Sequence, residues 1–73
     1  MAASVTVQEI ARLVRAERRR QGMDQQTLAL VANVAVRSVH RIEHAQETVR
    51  LETLLRVLNA LGLDLAVQRR GER

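Results

Sequence analysis

Apolar positions in this chain fall into four blocks with helical spacing and one short tail with alternating spacing. The first block opens with Thr6 and Glu9, which fit a capping box, with Val5 and Ile10 placed as a hydrophobic staple across it. This predicts a first helix over about Val7 to Gln21, burying Val7, Ile10 and Val14. Gly22 then supplies the left-handed residue that ends it. The same grammar restarts at Asp24, a good N-cap, with Met23 and Leu28 as the staple. A second helix over Gln25 to Ala32 is too short to be stable without packing. Asn33 follows, one of the few non-glycine residues that tolerates positive φ.

Val34 and Val39 repeat the staple around a third helix, about Val36 to His44. Its cap position holds Ala35, worth roughly 1 kcal/mol less than Ser there. The fourth helix, about Leu51 to Leu61, carries Leu51, Leu54, Leu55, Leu58 and Leu61 as one apolar stripe. Gly62 ends it, and Leu63 is placed to contact Leu58 in a Schellman closure. The period then changes, because Leu63, Leu65 and Val67 alternate with Asp64, Ala66 and Gln68. That is a strand pattern, and a lone strand leaves its backbone unsatisfied. Two readings stay open for it: pairing with the same strand of a second copy, or a frayed extended tail.

Composition sharpens this picture. Seventy-three residues make one domain spanning 1–73, and at this size only about 60% of the unfolded surface is buried on folding. With no cysteine and no aromatic residue, disulfides and cysteine-rich zinc sites are excluded and the core must be aliphatic. A self-pairing dimer is the reinforcement expected to remain. The net charge is +4, and all twelve basic residues are Arg, the side chain suited to forked contact with phosphate or guanine. A small excess of charge also serves solubility alone. Missing aromatics disfavour stacking on single-stranded bases, leaving duplex DNA as the expected partner. No run approaches 18 apolar residues and no signal pattern opens the chain, so a cytoplasmic protein without membrane contact is expected.

Two short helices around the turn Asn33-Val34-Ala35 form a helix-turn-helix unit over about 24–44. This stretch resembles the Xre/Cro-type helix-turn-helix family. The matching residues are Met23-Asp24-Gln25-Gln26-Thr27-Leu28-Ala29, Ala32-Asn33-Val34, Ser38-Val39-His40-Arg41-Ile42-Glu43, and the run Leu51 to Gly62. The resemblance implies an all-α, lambda-repressor-like bundle of four to five helices. It also implies that the third helix enters the major groove of double-stranded DNA. Val36, Arg37, Ser38 and Arg41 then take the base-reading positions. Arg37 and Arg41 lie four apart on one face, suited to guanine, while Val36 suits a thymine methyl. Gln25 matches a family glutamine that touches phosphate. Arg19, His40 and His44 are further phosphate contacts, or else solvated, as are Arg15 and Arg20. Arg18 and Glu43 fall where the family often places a partly buried ion pair. Asn33 and Ala35 depart from the family's usual turn glycine and Ser or Thr cap.

The ending Leu61-Gly62-Leu63-Asp64-Leu65-Ala66-Val67 resembles the HipB-type antitoxins, whose dimers join partly through C-terminal strands. That resemblance implies a homodimer with Leu63, Leu65 and Val67 of a strand at about 63–68 in the interface. It further implies repression of its own operon at a pseudo-palindromic operator, and neutralisation of a HipA-like serine/threonine kinase toxin. The bacterial nucleoid is the corresponding location. The chain ends at Arg69-Arg70-Gly71-Glu72-Arg73 without the longer tail of some relatives, which bears against a toxin contact made through such a tail. Two other readings stay open: a stand-alone Xre-type regulator, and an interaction module that reads no base.

His40-Arg41-Ile42-Glu43-His44 also matches the H-x-x-E-H pattern of inverted zinc proteases. A catalytic zinc needs a third protein ligand and a cleft. The chain offers no plausible cleft, and the family resemblance gives Glu43 Arg18 as its expected partner. No enzyme activity, cofactor or metal is therefore expected.

Overall fold

The computed structural model describes residues 5–46, 48–69 and 71. Among the described residues four helices follow one another: α1 (Val7–Arg20), α2 (Gln25–Ala32), α3 (Val36–Glu43) and α4 (Leu51–Ala60). Their starts follow the cap residues. Thr6 and Glu9 close a reciprocal capping box at 3.1 and 3.0 Å, and the Asp24 carboxylate accepts from the Thr27 N–H at 2.7 Å. Ala35 caps α3 without any side-chain hydrogen bond, as its missing oxygen requires.

All four helices end in the same Schellman geometry, with paired backbone bonds into the last turn. For α4, the Leu63 N–H donates to Leu58 at 2.8 Å and the Gly62 N–H to Asn59 at 3.0 Å. The equivalent bonds close α1 through Gly22 and Met23, α2 through Asn33 and Val34, and α3 through Ala45 and Gln46. Each closure needs one left-handed residue. Gly22 and Gly62 supply it without strain, whereas Asn33 (φ 59°) and Ala45 (φ 56°) do so with a Cβ. Ala45 is the terminator that residue type does not announce.

The helices meet around Val14, Leu28, Ala29, Ala32, Val39, Ile42, Val57, Leu58 and Leu61, all buried. Helix α3 packs against both α1 and α2, and α4 closes against α2. Ile10, Met23, Val34, Leu54 and Leu63 cover the edges. A Gln21 side-chain amide donating to the Leu61 carbonyl at 3.0 Å joins the far ends of α1 and α4. Each buried Leu or Val contributes about 1.5–3 kcal/mol, so this aliphatic cluster is what holds three short helices in place.

Two expectations need correction. Val7 is 40% exposed, because the first turn of α1 projects beyond the helices it packs on. The α4 stripe is rotated: Val57 is fully buried, while Leu51 and Leu55 stand 62% and 39% exposed. Helix α4 packs mainly against α2 and more lightly against α3, and Val57, Leu58 and Leu61 are the residues buried there. Among the described residues of this single chain there is no strand, and the alternating stretch from Leu63 to Gln68, expected to pair with a second copy, has no regular secondary structure. A ladder needs a second strand, and one chain supplies none. Arg70, Glu72 and Arg73 of the basic end lie outside the described residues.

Candidate nucleic-acid interface

Helix α3 is sharply two-sided. Val39, Ile42 and Glu43 point into the protein, while Arg37, His40, Arg41 and His44 are exposed. Those four positions follow three- and four-residue steps, which place them on one helical face. Val36 opens the helix at 47% exposure. Of the four expected base-reading residues, Val36, Arg37 and Arg41 therefore stand out from the body of the protein. Ser38 is half-buried and turns toward a notch of about 310 Å³ that it lines with Arg41, Thr48, Val49, Arg50 and Thr53. Arg37 and Arg41 have no hydrogen bond or ion pair among the described residues, so both guanidinium forks remain available to an outside acceptor.

What holds this face outward is Glu43, whose side chain is 1% exposed. The Arg18 guanidinium grips it with two hydrogen bonds, Nε to Oε2 at 2.6 Å and Nη2 to Oε1 at 2.9 Å. Arg18 also donates to the Met23 carbonyl at 2.8 Å, at the entry to α2. Gln25 Nε2 donates to Glu43 Oε1 at 3.1 Å. One carboxylate thus joins α1, the α1–α2 turn and α2 to the last turn of α3. Burial alone would raise the Glu43 carboxyl. The hydrogen bonds from Arg18 and Gln25, and then the charges of Arg18 and Arg15, outweigh burial and hold it below the usual carboxylate range.

This geometry bears on the other expected contacts. Gln25 sits at the start of α2 with one amide hydrogen committed to Glu43, which leaves the second for an outside acceptor. Asp24 caps the same helix end, and the Thr27 backbone N–H lowers its carboxyl from the ordinary value. The Arg15 side chain, 42% exposed, donates to the Glu43 carbonyl at 2.8 Å and lies 3.9 Å from its carboxylate. Arg20 is engaged by Glu17 within α1. Arg19 is exposed without an ionic partner among the described residues. His40 and His44 are both exposed, with their rings stacked at 3.9 Å.

Sequence reading did not single out Thr48, Arg50 and Thr53, which build the notch beside Ser38 and Arg41 at the start of α4. Their signal is weak, because polar residues before a helix are ordinary loop composition. Nor did it single out Arg56, which donates to the Asn33 carbonyl at 3.3 Å and so ties α4 to the turn between α2 and α3.

A sequence profile described as Helix-turn-helix matches residues 14–68, most of the chain. No curated protein sequence matches. Among solved structures, the chain is similar to one described as "MDT Protein", to one described as "Structure of HipA-HipB-O2-O3 complex", and to one described as "HipB-O4 20mer complex". Each superposes with a TM-score of 0.80 at 17% sequence identity, covering 96% of this chain and 99% of the other. At that identity the likeness is one of fold, while the profile match extends through the whole helix-turn-helix unit and α4. The chain belongs to the Xre-type helix-turn-helix family.

Proposed function

We propose that this protein, acting as one domain, is a sequence-specific DNA-binding repressor and the antitoxin of an operon encoding a HipA-like serine/threonine kinase. The observation that carries the DNA half is the contrast within α3. Its inner face is locked by the Arg18–Glu43 clamp, and its outer face presents Arg37 and Arg41 without internal partners. A rigid helix with two unengaged guanidinium forks one turn apart suits guanine edges in the major groove. Val36 then meets a thymine methyl, Ser38 a base or phosphate, and Gln25, Arg19, His40 and His44 the phosphate backbone.

Dimerisation follows from what one chain leaves uncovered. Leu51 (62%), Leu55 (39%), Leu65 (40%) and Val67 (93%) are exposed, and the residues from Leu63 onward keep alternating polarity. Pairing of that segment with a second copy satisfies its backbone and covers this apolar surface. A two-fold dimer sets two α3 helices about 34 Å apart over a pseudo-palindromic operator. The toxin half is supported by the fold likeness to structures described as HipA–HipB and HipB–operator complexes. The location consistent with this role is the bacterial cytoplasm, on the nucleoid. No helix among the described residues is long and apolar enough to cross a membrane.

The test joins two measurements on the untagged and tagged full chain. Gel-shift titration against the DNA upstream of its own gene should show specific binding over random duplex. Affinity capture from its native cells should recover a kinase-like protein at near-equal stoichiometry. Specific DNA binding with no stoichiometric protein partner would leave a stand-alone Xre-type regulator. Operator binding unchanged in Arg37→Ala and Arg41→Ala would remove the base-reading assignment.

A further inference from the structure

The H-x-x-E-H run of α3 loses its central carboxylate to the interior, since Glu43 is consumed by Arg18 and Gln25. Its two histidines remain, exposed on one side of the last helical turn and the residue that caps it. The imidazole rings of His40 and His44 lie with centroids 3.9 Å apart and planes inclined by only 26°. His44 Nδ1 lies 2.8 Å from the His40 carbonyl oxygen. A carbonyl only accepts, so this nitrogen carries the proton and Nε2 of His44 keeps its lone pair. His40 makes no ring hydrogen bond among the described residues, so its nitrogens are also available.

We infer that His40 and His44 form a two-imidazole surface site for a divalent transition-metal ion, zinc or nickel in kind, with water completing the coordination. Two observations support this. Histidines four apart on a helix share a face and are a recurrent chelating pair. Chelation turns the His40 ring out of the stack, because the in-plane lone pairs of near-parallel rings do not converge on one ion, while His44 keeps its orientation. A metal-binding histidine is characteristically oriented by giving its other N–H to a carboxylate or backbone carbonyl, and His44 has that bond already made. The ion would sit at the negative end of the α3 dipole, and the chelate would clip the turn that Ala45 closes with positive φ.

The surroundings select the metal. Arg37 and Arg41 share this face, and no group of three or more His, Cys, Asp or Glu side chains suited to a metal occurs among the described residues. Among the described residues, an oxygen-seeking cation such as magnesium or calcium finds no exposed carboxylate on this face, and two guanidinium groups share it. A metal that prefers imidazole nitrogen is held by its ligand bonds and tolerates that environment. This is a binding site only: two protein ligands and an open surface provide no catalytic pocket.

The test uses the full chain without an affinity tag, since added histidines would dominate the signal. ZnCl2 and NiCl2, each titrated by calorimetry, should saturate at one ion per chain, while MgCl2 should give no binding. His40→Ala and His44→Ala should each weaken zinc binding by about tenfold or more, with helix content by circular dichroism unchanged. Paramagnetic nickel should broaden amide resonances around residues 40–44 before any others. Zinc binding undiminished in the double His40→Ala/His44→Ala variant, or absent in the wild type at millimolar zinc, would overturn the site. Neither readout involves DNA, so the outcome stands apart from the repressor reading.

Discussion

Arg18 and Glu43 are 25 positions apart in sequence yet share two hydrogen bonds, at 2.6 and 2.9 Å, with the carboxylate almost wholly buried. The pair is more than an ion pair, because Gln25 and Arg15 converge on the same glutamate. It fixes the axial rotation of α3, and with it the direction in which Arg37 and Arg41 point.

Removing one partner should therefore cost more than the pair itself contributes. Glu43→Ala strands a buried guanidinium and should lower unfolding free energy by about 3–5 kcal/mol, read by urea titration. The double change Arg18→Met/Glu43→Leu should recover much of that loss, because no charge is then left buried. A double variant as unstable as Glu43→Ala would mean that the clamp's net attraction, rather than the stranded charge, dominates.

Acid should act through the same residue. Glu43 has its folded-state pKa lowered, so the unfolded chain takes up its proton first as the pH falls. The stability it contributes is fully present above the ordinary glutamate value of about 4.3 and is lost as the pH drops through the lower folded value. Asp24, lowered by the Thr27 N–H, acts with the same sign. Unfolding free energy measured from pH 7 to pH 3 should fall in the acid range, and less steeply in Glu43→Gln.

Ala45 holds a left-handed conformation (φ 56°) that costs an L-residue about 1–2 kcal/mol. Ala45→Gly removes that strain and should stabilise the protein by about 1 kcal/mol after the glycine's greater unfolded-state entropy is counted. For a domain of this size that is a rise of roughly 4–8 °C in Tm. An unchanged or lower Tm would show that the turn is not strained in solution.

Arg41→Ala should cost about 1–3 kcal/mol at the specific operator and little on random duplex, if its fork reads a guanine. Equal weakening on both DNAs, with a salt slope shallower by about one, would make it a phosphate contact. The fold should be untouched, since Arg41 has no internal partner among the described residues.

Val67 is 93% exposed, so Val67→Asp should leave an isolated chain's fold unchanged and act only on association. Sedimentation should show a shift from dimer toward monomer, as should truncation before Leu63. An undiminished dimer in both variants would remove the strand-pairing proposal.

Local chemistry made much of this protein legible in its sequence. Thr6, Glu9 and Asp24 announce helix starts, and Gly22, Asn33 and Gly62 announce ends, because each acts on its own or adjacent turns. The spacing of Arg37 and Arg41 likewise places them on one face whatever the rest of the chain does. Which side of each helix is buried depends on distant neighbours, and there sequence reasoning slipped. Val7 stands free beyond the packed helices, and Val57 rather than Leu51 is buried in α4. The same limit hid Ala45, since nothing in alanine favours positive φ and only the path from α3 to α4 imposes it. The caps, periodicities and charge type were thus written in the chain by itself. The tertiary structure decided which residues the core covers and which guanidinium groups stay unengaged, because burial and pairing are properties of surfaces brought together from far apart in sequence.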